Sequence, residues 1–96
     1  MPVLFCSLEI YLPDRHSLKD KRRVVRGASE RLRTKFKCSV AELHHQDLWQ
    51  RSRLGIAVAG SNRAFLEMVS EKIRLESERL LGGDLVDFSA ELLEHE

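Results

Sequence analysis

Six segments with different hydrophobic periods follow one another along the chain, and their order is the feature that most constrains the fold. Residues 3 to 12 alternate between apolar and mixed positions, which is typical of a half-buried strand. A period of about 3.6 residues then extends from Leu18 to Phe36, directly after Ser17, a residue type that caps helices. The chain therefore begins with a strand and an amphipathic helix.

The remainder of the chain predicts two strands, a second helix and a final strand. Period-two segments at residues 38–43 and 54–59 are separated by a polar connection, HHQDLWQRSR. A second helix follows, with Ser61 or Asn62 as its cap, and residues 86–92 alternate again. One face of this helix carries Phe65, Leu66, Val69, Ile73 and Leu80.

The resulting order is βαββαβ. Right-handed crossovers in its two βαβ halves place both helices on one face of a four-stranded antiparallel sheet with strand order 4-1-3-2, the ferredoxin-like α+β sandwich. With 96 residues, 43% of them hydrophobic, we expect a single domain over residues 1–96 with one core. The predicted core comprises Cys6, Leu8, Ile10, Val25, Leu32, Phe36, Ile56, Val58, Val69, Ile73, Phe88 and Ala90.

The sheet face without helices is predicted to be apolar. Phe5 and Tyr11 of the first strand fall on it, and so do Gly55, Ala57 and Ala59 of the third. Such a face is either a modest exposed patch or an interface, and small residues at its centre allow close approach of a partner. We expect it to be buried in a homodimer.

Charge is distributed unevenly along the sequence. The overall net charge is +1, yet residues 15 to 37 hold ten basic and two acidic side chains, a net +8, and residues 84 to 96 contain five acids and no Lys or Arg. The cations gather on the flank and back of the first helix, hereafter the basic face: Lys19, Arg22, Arg23, Arg26, Arg33 and Lys37. Such clustering indicates a polyanionic partner, or neutralisation by the acidic C-terminal segment of a neighbouring subunit.

The polar connection after the second strand contains the only tryptophan. Trp49 either clamps this loop onto the core or serves as a stacking platform, with Arg51 beside it for phosphates. We expect His45, Gln46 and Asp47 to fix the loop by hydrogen bonds. His44, His45 and Asp47 resemble a cluster of metal ligands, but adjacent residues on an extended chain point in opposite directions and four well-aimed ligands are lacking, so we expect no metal site.

Other classes of function find little support in the sequence. No segment is long and apolar enough for a membrane span, and GxSxG, P-loop, GxGxxG and HExxH motifs are lacking. Cys6 and Cys38 lie on strands separated by the third strand, too far apart for a disulfide, so we expect reduced thiols and a cytoplasmic location. We therefore expect no enzyme, no metal and no cofactor.

Three segments, LPDRHSLKDKRRVVRG, FKCSVAEL and HQDLWQRSRLGIAV, resemble those of the YlxP-like family of small bacterial proteins of unknown function. The resemblance implies a ferredoxin-like fold and a bacterial cytoplasmic origin. Genes of this family often neighbour those for translation and ribosome-binding factors, which suggests a role near the ribosome. His44 departs from the acidic residue expected there, and the family provides no catalytic residues to transfer.

Two hypotheses for function follow. The first is an accessory factor that binds ribosomal RNA or a ribosomal particle through the basic face, with Trp49 and Arg51 beside a base or phosphate. Its binding would depend on charge and shape with low sequence selectivity. The second is a dimeric protein-interaction or regulatory module that binds no nucleic acid.

Overall fold

The computed structural model describes residues 1–13, 17–44 and 50–94. Its elements are β1 (Pro2–Tyr11), α1 (Leu18–Phe36), β2 (Ser39–His44), β3 (Arg51–Ala59), α2 (Arg63–Leu81), a 3₁₀ turn (Gly82–Asp84) and β4 (Leu85–Glu94). The four strands form one antiparallel sheet in the order β2-β3-β1-β4. This is the predicted order read from the other edge, and the ferredoxin-like fold is confirmed.

Both helices begin at side-chain caps that the sequence predicted. The Ser17 Oγ accepts a hydrogen bond from the backbone N–H of Asp20 at 3.2 Å. For α2 the cap is Asn62, whose Oδ1 accepts from the Phe65 N–H at 2.8 Å. Each cap satisfies a backbone donor that the first helical turn leaves unpaired, and so fixes where the helix starts. Gly82, with φ of 55°, ends α2.

The core lies between the sheet and the two helices. Its central side chains are fully enclosed and come from β1 and the residue that follows it, from β3 and from both helices: Leu4, Cys6, Leu8, Ile10, Leu12, Leu32, Leu54, Ile56, Leu66 and Ile73. Among the predicted core residues, Phe36, Val58 and Phe88 are only half-buried and pack against this cluster. Burial in β1 alternates strictly along the strand, as the period of two predicted.

One core prediction and one helix-face prediction on the α2 side were wrong. Ala90 is exposed, because α2 does not cover this part of β4 and a groove of about 280 Å³ remains between them, lined in part by Ser70 and Leu92. Phe65, predicted to share the apolar face of α2 with Leu66, is 48% exposed, because it lies in the first turn of the helix and at the flank of the buried stripe. In both cases the sequence periodicity predicted which face of the strand or helix is apolar. It could not predict how much of that face the neighbouring helix or sheet covers.

The third strand begins earlier than predicted, at Arg51 instead of Leu54. Ser52 is buried beneath the helices, whereas Arg51 and Arg53 lie on the opposite face. We call that opposite face the open face. Its described residues are Val3, Phe5, Ser7, Glu9, Tyr11, Ser39, Ala41, Leu43, Arg51, Arg53, Gly55, Ala57, Ala59, Asp87, Ser89, Glu91 and Leu93.

Among the described residues, neither helix is long and apolar enough to cross a membrane.

Candidate nucleic-acid interface

The basic face is fully presented to solvent. All six of its predicted residues are exposed in the structure. They lie on or directly after α1, which at 19 residues is about 28 Å long and is held rigidly by the apolar stripe of Val25, Ala28 and Leu32 against the sheet. The structure therefore brings these cations together on one surface, as the sequence predicted.

Few anions neutralise the basic face. Asp20 approaches Arg23 at 3.6 Å, and both side chains are largely in water, so this pair contributes little to stability. Within the described part of the chain, no other residue of the basic face forms an ion pair. Repulsion among these cations is therefore poorly compensated within the protein, which favours an anionic partner.

Arg33 is directed toward the edge of the sheet. Its guanidinium donates to the Ser29 Oγ at 3.1 Å and to the backbone carbonyl of Val40, in the edge strand β2, at 3.2 Å. Arg22 and Arg26 line the same side of α1. A groove of about 310 Å³ separates α1 from β2, and it is lined by Arg22, Val25, Arg26, Ser29, Arg33, Val40, Glu42 and Leu54.

Three arginines in one groove suit phosphate groups. Each guanidinium offers several N–H donors in a planar fork that matches two oxygens of a phosphate. Arg33 is already oriented by two hydrogen bonds, so less side-chain entropy is lost when it binds. The groove is therefore one part of the basic face that is shaped for an anionic ligand, with the Glu42 carboxylate at its wall already paired with Lys21.

A buried ion pair beneath this groove was not predicted. Lys21 is 1% exposed, and its Nζ lies 2.9 Å from the Oε2 of Glu42. The same carboxylate oxygen accepts a hydrogen bond from the Ser52 Oγ at 2.8 Å. This network connects α1 to both β2 and β3, and so it fixes the position of the basic face relative to the sheet.

The sequence did contain a signal for this network. At about 100° per residue, Lys21 falls within the apolar stripe of α1, where a lysine is expected only with a buried partner. Glu42 is placed on the same side of β2 as Val40, toward the helices. The sequence alone therefore places one positive and one negative side chain, Lys21 and Glu42, at positions between the helix and the sheet.

A second ionic cluster joins the two helices. Glu76 of α2 is 6% exposed, and its carboxylate contacts the Nζ of Lys35 at 2.9 Å and the guanidinium of Arg79. Hydrogen bonds from Arg79 and then from Lys35 lower the pKa of Glu76 to about 2. Lys35 is therefore a structural cation, unlike those of the basic face.

The predicted loop residues lie mostly outside the described structure. Trp49, His45, Gln46 and Asp47 fall within residues 45–49, which the structure does not describe. Arg51 is described, and it lies on the open face with its guanidinium 5.2 Å from the Tyr11 ring centre. The structure thus does not bring Arg51 to the same surface as the basic face.

The open face is partly apolar and partly charged. Ala57 and Ala59 are exposed, Tyr11 is 36% exposed and Phe5 is half-buried. Gly55 at its centre is covered by its own chain, because a Cβ there would lie 2.6 Å from Leu43 Cδ1 and 3.2 Å from Phe5 Cε1. Gly55 therefore gives a partner no close approach, and of the small residues predicted to allow it, Ala57 and Ala59 are exposed.

Glu9 is the least exposed acid among the described residues of the open face. It is 11% exposed, and its oxygens lie 3.6 Å from Arg51 and 3.2 Å from Arg53. Sequence reasoning missed this cluster because it treated Arg51 and Arg53 as loop residues. Recognising that QRSRLGIAVA continues one alternation would have placed both arginines on the face of Glu9, with Arg53 directly opposite it and Arg51 opposite Tyr11.

The two cysteines are free and buried. Burial raises the pKa of the Cys6 thiol to about 11, and the Cys38 thiol also has a raised pKa because it is buried. Both thiols are therefore protonated and unreactive at neutral pH. Among the described residues, no group of three His, Cys, Asp or Glu side chains is arranged to hold a metal ion.

Fold and sequence comparison together define the class of this protein. The architecture is that of a ferredoxin-like α+β domain. Residues 3–89 match the family described as "Protein of unknown function (DUF503)", and the chain belongs to that family. It is 36% identical over 69 residues to "Uncharacterized protein YlxP" of Bacillus subtilis (strain 168), an alignment that covers 72% of this chain and 75% of the relative.

Two solved structures share the fold. A putative antibiotic biosynthesis monooxygenase from Bordetella bronchiseptica superimposes with a TM-score of 0.56 at 15% identity, covering 99% of this chain and 98% of its own. A mutant form of SnoaB, a cofactor-independent oxygenase from Streptomyces nogalater, gives a TM-score of 0.52 at 8% identity, covering 98% and 92%. At these identities the likeness shows the fold alone.

Proposed function

We propose that this protein binds structured RNA through the basic face of α1, with ribosomal RNA or a ribosomal particle as its partner. The observation that carries the proposal is the set of six exposed cations along one rigid helix, with a single weak ion pair among the described residues. Phosphate contacts of this kind supply most of the affinity in sequence-independent binding to nucleic acids.

The groove between α1 and β2 is the proposed centre of the contact. Arg22, Arg26 and Arg33 line it, and further phosphates along the same RNA strand would reach Lys19 and Lys37 toward the two ends of the helix. Recognition by charge and shape implies low sequence selectivity, since no base edge has to be read. The proposal places the protein in the cytoplasm, where free thiols persist.

The loop around Trp49 has a separate, secondary role in the proposal. If the indole stacks on a base, Trp49→Ala weakens binding by about 1 to 3 kcal/mol and leaves the salt dependence nearly unchanged. If it clamps the loop, the variant loses thermal stability instead and binds RNA as the wild type does.

We propose no enzymatic activity. The two structural neighbours are oxygenases by name, and their low identities provide no residue to transfer. The proposal relies instead on charge and shape, which require no reacting group.

Co-sedimentation with ribosomal subunits at two salt concentrations tests the proposed function. We expect association at about 50 mM salt that is largely lost at about 200 mM, because counterion release weakens as salt rises. Absence of any RNA or subunit association at the lower salt would contradict the proposal. The basic face would then belong to an acidic protein partner of a dimeric interaction module.

A further inference from the structure

The open face is divided into an apolar end and a charged end. Residues that lie side by side across the strands form rows, and the rows at one end are Ala59, Val3 and Leu93, then Ala57, Phe5 and Glu91. The row at the other end is Arg53, Glu9 and Asp87, followed by Arg51 and Tyr11. Glu91 is the one charge in the apolar rows, and it lies on the edge strand.

The charged row contains a mismatch. Asp87 lies directly opposite Glu9, and both are acids, an arrangement that destabilises a strand pair. Glu9 is satisfied by Arg51 and Arg53, which lie on its other side. Asp87 is exposed and forms no ion pair among the described residues. The row therefore has an acid at its outer end that a cation from outside the chain would neutralise.

From this pattern we propose that the open face binds a second copy of this chain about a two-fold axis that is parallel to the strands and passes over β1. This axis places β4 of each copy over β3 of the other. Asp87 of one copy then meets Arg53 of its mate, and Leu93 meets Ala59. Apolar rows thus cover apolar rows. In the charged row, Arg53 and Asp87 meet across the axis at both ends, and Glu9, which is already paired with Arg51 and Arg53, lies over its own counterpart at the centre.

The other two-fold arrangement is electrostatically worse. An axis perpendicular to the strands would place the apolar end of one copy over the charged end of the other. Asp87 would then approach the Glu91 carboxylate of the mate, and Arg53 would lie over Ala57. Only the axis parallel to the strands brings Asp87 to a cation and the apolar rows onto each other, the self-complementary pattern that a two-fold interface requires.

The area of the face supports a weak but specific interface. The overlap comprises β3, β1 and β4, and three strands spaced about 4.8 Å apart and about 30 Å long cover roughly 430 Å² per copy. Both copies together bury roughly 900 Å², which is within the range of weak, transient complexes. The dimer should therefore form in a concentration-dependent way, and it leaves both basic faces exposed on its outer surfaces. This inference does not depend on RNA binding.

Sedimentation equilibrium of the wild type and two charge variants tests the contact. The wild type should dimerise as its concentration rises through the high micromolar range. Asp87→Lys should stay monomeric at the same concentrations, because its new ammonium group would face the mate's Arg53. The matched control is Asp84→Lys, which makes the same charge change in the turn before β4 and should dimerise normally. A wild type that stays monomeric at every concentration, or an Asp87→Lys variant that dimerises as tightly as the control, would overturn the proposal.

Cross-linking tests the axis. Cys6 and Cys38 are buried, so an introduced surface cysteine is the reactive one. A bis-maleimide that spans about 10 Å, the usual separation of packed sheets, should link Ser7→Cys, which lies at the axis on β1. Ala41→Cys on β2 lies outside the overlap and should not be linked. Efficient linking at Ala41 with none at Ser7 would contradict this geometry, even if a dimer forms. Circular dichroism checks that each variant is folded.

Discussion

At the scale of single residues, three charged side chains that are buried or half-buried determine how the helices pack on the sheet. They are Lys21, Glu42 and Glu76. Lys21 contacts Glu42 beneath the basic face, and Glu76 contacts Lys35 and Arg79 between the helices. Charges are costly to remove from water, and these positions are stable because each has an opposite charge at hydrogen-bond distance. Removing one partner therefore affects stability more than removing any cation of the basic face.

Lys21→Met should lower the free energy of unfolding by about 2 to 4 kcal/mol, because it leaves the Glu42 carboxylate without this buried cation. Methionine retains most of the apolar stem, so the effect reports the charge rather than the packing. Urea denaturation measures it. The double variant Lys21→Met/Glu42→Gln should recover part of the loss, since the uncompensated charge is gone. A Lys21→Met variant within about 0.5 kcal/mol of wild type would show that the pair is unimportant.

Glu76 should make stability depend on acid pH. Its pKa is lowered from 4.5 in the unfolded chain to about 2 in the fold, so its contribution is complete above about pH 4.5 and is lost as the pH falls toward 2. The stability difference between wild type and Glu76→Gln should therefore shrink over that range. Denaturant unfolding at about pH 6 and about pH 3 measures it, with Glu67→Gln on the same helix as the control. A difference that is the same at both pH values would contradict the assignment.

At the scale of elements, β3 is the strand that connects the two faces of the sheet. Its helix-facing side provides Ser52, Leu54 and Ile56 to the core, and its other side carries Arg53 and Gly55. The glycine is required because Leu43 and Phe5 from the neighbouring strands lie over it. Packing across β2, β3 and β1 thus occurs on both faces.

Gly55→Val should cost about 1 to 3 kcal/mol, because a branched side chain would overlap Leu43 Cδ1 and crowd Phe5. The Leu43 side chain is 40% exposed and is the more easily displaced of the two. Adding Leu43→Ala should therefore reduce the cost of the valine, and a thermal melt of the single and double variants tests this. If Leu43→Ala adds its own loss without any compensation, the close approach is not what excludes a side chain here.

The limits of sequence reasoning are clearest at this scale. The alternation of β1 and the helix starts were predicted correctly because those signals are local, and the strand order followed from the right-handed crossover rule applied to the βαββαβ sequence. The first three residues of β3 were missed, since a polar segment such as RSR resembles a loop when its partner Glu9 is unknown. Cross-strand partners are long-range information that a single sequence does not display.

At the scale of the whole molecule, the structure separates charge. The basic face lies beside β2 at one edge of the sheet, and the acids Asp87, Glu91 and Glu94 lie on β4 at the other edge. The overall charge of +1 conceals this polarity. The position of the basic face could be predicted from the sequence, because helical periodicity fixes it. The groove beneath it could not, because its shape depends on how Lys21 and Glu42 hold the helix against the sheet.

The salt dependence of RNA binding tests the central claim most directly. Contact with about four to six phosphates gives a slope of log K against log salt of about −3 to −5, at about −0.7 to −0.9 per contact. Arg22→Glu/Arg26→Glu should weaken binding and flatten this slope. The control Arg31→Glu/Lys72→Glu makes the same charge change at exposed positions off the basic face and should leave the slope nearly intact. Equal slopes for the two double variants would contradict RNA binding through α1.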